Sequence, residues 1–230
     1  MHLNGYNNTK TVLEWALNNF PDPEKLVIGG YSAGSLGAQL WSEKIAEMWH
    51  VEQKSITYQV LADSYIGEFP EQKAAASSLL NVFGGRDVDL HFPELMQVEC
   101  KAETATATAL VDALIQETPK SKWLFIDSNA DRTQRKFYEL ARLGIGGYPF
   151  TTLLDAKEFY GNLSLILDSH ARFTNVTRFN IDSDEHVWLK ASGYAPTTSL
   201  GGALLGNVLS EWLRQPPTDP ASPRNTTVQH

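Results

Sequence analysis

Apolar positions in this chain change period several times, and the changes alternate between two kinds of segment. From Thr9 to Phe20 the residues Val12, Leu13, Trp15, Ala16, Leu17 and Phe20 recur at helical spacing, and FPDPE then breaks the helix. Residues 26–30, LVIGG, form a short apolar run of strand type, after which Leu36, Leu40, Ile45 and Met48 return to helical spacing. SITYQVLAD (55–63), SKWLFID (121–127) and VTRFNID (176–182) read as further strands, with helical stretches between them and a last helix over 199–213. Strands alternating with helices predict an α/β fold of three layers, a mostly parallel sheet flanked by helices.

Length and composition are consistent with one such domain. The 230 residues are 42% hydrophobic and 20% charged, which excludes disordered and fibrous classes. A net charge of -8 argues against nucleic acid or an anionic membrane surface as the main partner. No apolar run reaches the roughly 18 residues of a membrane span, and MHLNGYNNTK lacks the apolar core of a signal peptide. Sequons at Asn7, Asn162, Asn175 and Asn225 lean towards a secreted glycoprotein. The single cysteine, Cys100, cannot form an internal disulfide and has no metal-ligand spacing around it.

The region 64–120 contains helical pieces around 73–83 and 105–117 and an irregular middle, GGRDVDLHFPE; an insertion of that size above strand ends is expected to act as a lid or substrate wall, or as a packing subdomain. Residues 215–230 are rich in Pro and Ser and are expected to be a disordered tail, leaving 1–214 as the domain.

The chemistry concentrates at residues 29–35, GGYSAGS. Gly30-Tyr31-Ser32-Ala33-Gly34 fits a nucleophile elbow, in which a serine takes a strained turn between strand and helix, and Gly30 and Gly34 are expected to be small because a Cβ would clash. A serine hydroxyl needs a histidine to take its proton and a carboxylate to orient that histidine, in the chain order Ser, acid, His. His186, just past the last strand in FNIDSDEHVWL, fits that order, with His170 in ILDSHARF as competitor. The acid should follow the preceding strand, where FIDSNADRTQ offers Asp127 and Asp131, and topology alone does not separate them. The N–H of Ala33 is the expected first oxyanion donor.

The segments NGYNN, GGYSAGSLGA, LADSYIG, ADRTQ and EHVWL, in this order and at this spacing, resemble the pectin acetylesterase and Notum family of α/β-hydrolase-like carboxylesterases, over about residues 4–213. That resemblance implies a catalytic set of Ser32, Asp131 and His186, with Asp131 chosen over Asp127 because it opens a D-x-x-Q pattern ending at Gln134. It also implies that Asp63, beside Ser64 in the ADS segment, shapes the pocket or pins a loop, against the simpler reading of an Asx turn. A glycine-rich oxyanion loop upstream of NGYNN is implied too, and the chain lacks one. The expectation is therefore an N-terminally truncated form of a longer secreted esterase, a sheet of about four parallel strands with an open edge beside the nucleophile strand, and Cys100 deprived of a partner. The implied substrate is an acetyl or other acyl ester, on a polysaccharide such as pectin or, as in the Notum branch, a lipid acyl group on a protein, with no metal or organic cofactor. The family's animal and plant members are cysteine-rich, so the nearer likeness is to its disulfide-poor members. Two other readings compete: a hydrolase scaffold that binds without turnover, and a flavodoxin-like domain holding a phosphate at the GGYSAGS turn.

Overall fold

A computed structural model describes residues 4–70, 92–190 and 193–216. The expected helix at 73–83, most of the irregular middle of the insertion and residues 217–230 of the expected tail lie outside them.

Four strands, β1 (Lys25–Tyr31), β2 (Thr57–Asp63), β3 (Lys122–Ser128) and β4 (Val176–Ile181), form an all-parallel sheet in the order β1-β2-β3-β4. Between them run α2 (Ala33–Met48), α3 (Glu94–Lys101), α4 (Ala107–Glu117), α5 (Arg132–Leu143) and α6 (Ala156–His170); α1 (Gly5–Asn19) precedes the sheet and α7 (Leu205–Arg214) follows it. Each strand thus reaches its parallel neighbour through a helical crossover, the connection such pairs require.

Alternation along the strands divides the core in two. Tyr58, Val60, Ala62, Trp123 and Phe125 point to one face and pack with Ile45, Leu114 and Leu163 of the crossover helices and with Trp49 just beyond α2. Leu124, Ile126, Phe179 and Ile181 point to the other, where Leu205, Val208 and Trp212 of α7 cover them. Full burial of such side chains contributes about 1.5–3 kcal/mol each, so the central strands carry most of the stability. β1 is different: Lys25, Val27, Gly29 and Tyr31 are exposed and no residue of α1 is fully buried. Among the described residues β1 is an edge strand.

Local chemistry sets the helix ends. Asp131 caps α5 by accepting from the N–H groups of Thr133 and Gln134, and Asp155 caps α6 through Lys157 and Glu158. Gly144, at φ 73°, ends α5 in a conformation that suits glycine. The helix expected from residue 199 begins only at Leu205. Leu200 and Leu204 have the right spacing, but Gly202 takes φ 84° and a bridge pairs Thr198 with Leu204, so 199–204 forms a turn.

Cys100 lies buried in the core on α3. Two of the four sequon asparagines are tied into the fold: Asn162 donates to Glu68 at 2.8 Å and Asn175 to the Ser121 carbonyl at 2.9 Å. No helix among the described residues is long and apolar enough to cross a membrane.

Candidate functional site

In a parallel sheet all the strands end on one side, so the residues that follow them are gathered there. Ser32 follows β1, Asp63 and Ser64 close β2, Asp127 and Ser128 close β3, and the segment 182–189 follows β4.

Ser32 has φ 54° and ψ -125°, a strained backbone for a residue with a side chain, and it is the residue immediately before α2. Its N–H donates to the Asp63 carbonyl at 2.9 Å, fixing the turn to the end of β2. A Cβ on Gly30 would sit 2.2 Å from the carbonyl carbon and oxygen of Gly34, so strand and helix meet there only because Gly30 has none. The expectation for Gly34 is corrected: a Cβ at that position would meet nothing within 4 Å, because it points away from the strand into open space. Ala33 and Gly34, both exposed, are in the first turn of α2, where backbone N–H groups have no intrahelical acceptor.

Of the two candidate aspartates, Asp131 meets His186. Its Oδ2 lies 2.7 Å from His186 Nδ1, so Nδ1 is the donor to the carboxylate and Nε2 is the ring nitrogen left over. Oδ1 is occupied by the α5 cap, and Gln134 Nε2 donates to Oδ2 at 3.2 Å. Asp131 is fully buried and His186 half-buried, with Nε2 itself shielded from solvent and free of any hydrogen-bond partner. Among the described residues no hydrogen bond joins Ser32 to that nitrogen; such bonds are commonly long before substrate is engaged.

Asp127, four residues earlier, has a different role. Its Oδ1 accepts from the same Gln134 amide at 2.9 Å and its Oδ2 is buried without a partner. Burial raises its carboxyl well above the usual range; the Gln134 hydrogen bond opposes this, and the nearby charges of Asp131 and Asp63 reinforce it. Burial and the neighbouring carboxylates therefore favour the protonated form of Asp127 beside Asp131. Gln134 ties the cluster to the chain beyond β2 by accepting from the Ile66 N–H at 3.1 Å.

The histidine segment is fastened along its length. Asn129, Ala130 and Arg132 donate backbone N–H groups to the carbonyls of Ile181, Ser183 and Asp184. Ser128 Oγ donates to the Glu185 carbonyl at 2.7 Å and accepts from the Trp188 indole at 3.0 Å. Ser64 Oγ accepts from the Val187 N–H, and the Asp63 carboxylate from those of Trp188 and Leu189. Ser128 and Trp188 were not among the residues singled out by sequence. Both lie in stretches the sequence analysis quoted, Ser128 in FIDSNADRTQ and Trp188 in EHVWL.

His170 is engaged elsewhere. It is fully buried, stacks on Phe125 with centroids 5.1 Å apart, and lies 2.6 Å from Asp112, which also takes Ser169 and Arg172. Burial opposes charge on Asp112, but these partners outweigh it and hold the carboxyl below its ordinary value. His170 joins α6 to α4 rather than facing the strand ends.

Among the described residues no group of three His, Cys, Asp or Glu is arranged to hold a metal. A cleft of about 250 Å³ between α1 and α2, lined by Tyr6 and Trp41 among others, includes none of the residues of this site. Comparison with known protein families finds none that matches, and comparison with curated proteins finds no match either. The family likeness thus rests on the motifs themselves.

Proposed function

We propose that this chain is a serine hydrolase acting on carboxylic esters, removing acetyl or other acyl groups, with a polysaccharide such as pectin as the favoured alcohol side. The observation that carries this reading is the Asp131–His186 pair at 2.7 Å, its free Nε2 beside strand ends that also present Ser32 in a strained strand-to-helix turn. The resemblance to the pectin acetylesterase and Notum family supports the ester class.

In the proposed reaction Ser32 Oγ attacks the ester carbonyl while His186 Nε2 takes its proton, and the Asp131 carboxylate stabilises the resulting imidazolium. The tetrahedral oxyanion is met by the Ala33 N–H at the start of α2. Collapse expels the alcohol, which receives the proton from His186. Water, deprotonated by the same nitrogen, then releases the acid from the acyl-enzyme and restores Ser32. The reading requires no metal or organic cofactor and includes a secreted location, for which Asn7, exposed on α1, is the sequon to examine for glycan.

The test is mass analysis after treatment with a fluorophosphonate. A single adduct on Ser32, absent in Ser32→Ala and slowed in His186→Ala, is expected. No adduct in a chain shown by circular dichroism to be folded would sink the hydrolase reading and favour a scaffold that binds without turnover.

A further inference from the structure

Asp63 and Ser64 have more hydrogen bonds than the end of a strand requires. The Asp63 carbonyl accepts the Ser32 N–H at 2.9 Å. Its carboxylate, 1% exposed, accepts the Trp188 N–H at 2.9 Å and the Leu189 N–H at 2.8 Å. It also accepts the Ser64 hydroxyl at 2.7 Å, and Ser64 Oγ in turn accepts the Val187 N–H at 2.9 Å. Three consecutive backbone donors, residues 187–189, therefore converge on one dipeptide more than 120 residues away in sequence. The same dipeptide holds the turn of the candidate nucleophile. An ionised carboxylate receiving backbone N–H groups makes stronger hydrogen bonds than a neutral acceptor.

The backbone there is also unusual. Ser64 has φ 60° and Val187 has φ 65°. Left-handed geometry is rare for any residue with a side chain and an outlier for a β-branched one. Strain of this kind persists only where the surroundings over-determine it, and here the Ser64 hydroxyl secures the Val187 N–H. Val187 is the residue after His186, so its conformation sets where the imidazole emerges.

We propose that Asp63 and Ser64 are a positioning unit that sets the reach from His186 Nε2 to Ser32, one backbone carbonyl holding the nucleophile turn while carboxylate and hydroxyl hold the histidine loop. This rests on the hydrolase reading for its catalytic meaning, but the placement of His186 is measurable without turnover.

Two variants divide the possibilities. Ser64→Gly removes the hydroxyl and its two hydrogen bonds while suiting φ 60°, so relief of backbone strain offsets part of the loss and the chain still folds; Asp63→Asn keeps the shape and turns one acceptor into a donor facing backbone N–H groups. Each is assayed for kcat and KM on a p-nitrophenyl ester, for the rate of fluorophosphonate labelling, and by proton NMR of chain carrying ¹⁵N-imidazole histidine. The expected result is a fall in kcat of about tenfold for S64G and on the order of 10²-fold for D63N, with KM within about twofold, since small misplacements cost that much. In both, the low-field Nδ1–H signal of His186, which reports its bond to Asp131, weakens or exchanges faster. Should kcat and the signal stay at wild-type values in S64G while only the melting temperature moves, the unit is structural and the proposal is overturned; S64G decides this even if D63N fails to fold. If the wild-type chain neither turns over nor labels, the hydrolase reading falls, and the NMR signal alone then judges whether Asp63 and Ser64 place His186.

Discussion

The contact between Gly30 and Gly34 gives a prediction that does not depend on function. Gly30→Ala would place a Cβ 2.2 Å from the Gly34 carbonyl carbon and oxygen and 2.7 Å from the Ser35 nitrogen. All three are backbone atoms, so no rotamer can relieve the overlap. Ordinary contact lies near 3.5–4.0 Å, and the start of α2 would have to retreat by about 1 Å or more. That shift would pull on Ser32, whose N–H is held by Asp63, and on Ser35, which is buried and whose hydroxyl meets the Gln39 amide at 3.1 Å. Overpacking costs about 1–3 kcal/mol and occasionally more, and the rigid partners put this site at the upper end. With about 2–4 °C per kcal/mol for a domain of this size, the melting temperature should fall by about 6–12 °C. Gly34→Ala is the control. Its Cβ meets nothing within 4 Å, and replacing a helical glycine stabilises by about 0.5 kcal/mol or slightly more, so the melting temperature should hold or rise by a degree or two. Circular dichroism melts of the two variants beside wild type decide the matter. A G30A chain that melts with wild type, or a G34A chain that melts as low as G30A, refutes the close approach of strand and helix.

Two further outcomes follow from the buried carboxyls. Under the proposed mechanism Asp131→Asn removes the acceptor that fixes the His186 tautomer and should lower kcat by about 10³–10⁴-fold, whereas Asp127→Asn replaces an acid favoured in its protonated form with a near-isostere and should cost at most about tenfold; equal losses in ester turnover would show that the two aspartates are misassigned. Glu68 is buried, with its carboxyl pushed up to about 8 chiefly by desolvation, an Asn162 hydrogen bond opposing and the Glu158 charge adding. Because the folded state then holds a proton that the unfolded chain gives up, stability is fully present below the ordinary pKa near 4.5 and is lost as pH rises towards 8. Glu68→Gln should therefore raise the melting temperature by several degrees at pH 8.5 and by little at pH 5, and a gain independent of pH would count against a buried, protonated Glu68.

How much of this could be read in the chain depends on the range of each interaction. The two central strands, TYQVLAD and KWLFIDS, were legible because burial on both faces demands mostly apolar residues, whereas LVIGG and VTRFNI, at the two ends of the sheet, show only short apolar or alternating stretches between turn signals. Ser32 was legible because its strained turn depends on neighbours two residues away, Gly30 above all. The start of α7 was misread because apolar spacing at Leu200 and Leu204 says nothing of the positive φ at Gly202. Asn162 and Asn175 fit the glycosylation pattern, yet their amides are used inside the fold, which a three-residue motif does not register. That Asp63 pins a loop was implied by the resemblance alone, and which groups it holds was least accessible. Its partners are backbone N–H groups of Trp188 and Leu189, which carry no residue-type signature and come within reach only when β2 and β4 end on the same side.

Under the proposed mechanism, the order of the strands accounts for a histidine that comes from a loop. β1 and β3 are separated by β2, so the ends that carry Ser32 and the candidate acids are about 10 Å apart at the usual strand spacing. An imidazole with a hydrogen bond at each nitrogen spans on the order of 7–8 Å. Asp127, at the end of β3, is turned inward to Gln134 and does not meet His186. Asp131 lies one turn further along, lifted off the strand by the cap of α5, and from there it reaches His186. The remaining distance depends on how far the 186–189 loop is drawn back across β2, and the groups that draw it are Asp63 and Ser64 on β2's own end. Under the proposed mechanism, the candidate acid and nucleophile are fixed by their strands and turns, while the separation between base and nucleophile would depend on the residues of the strand between them.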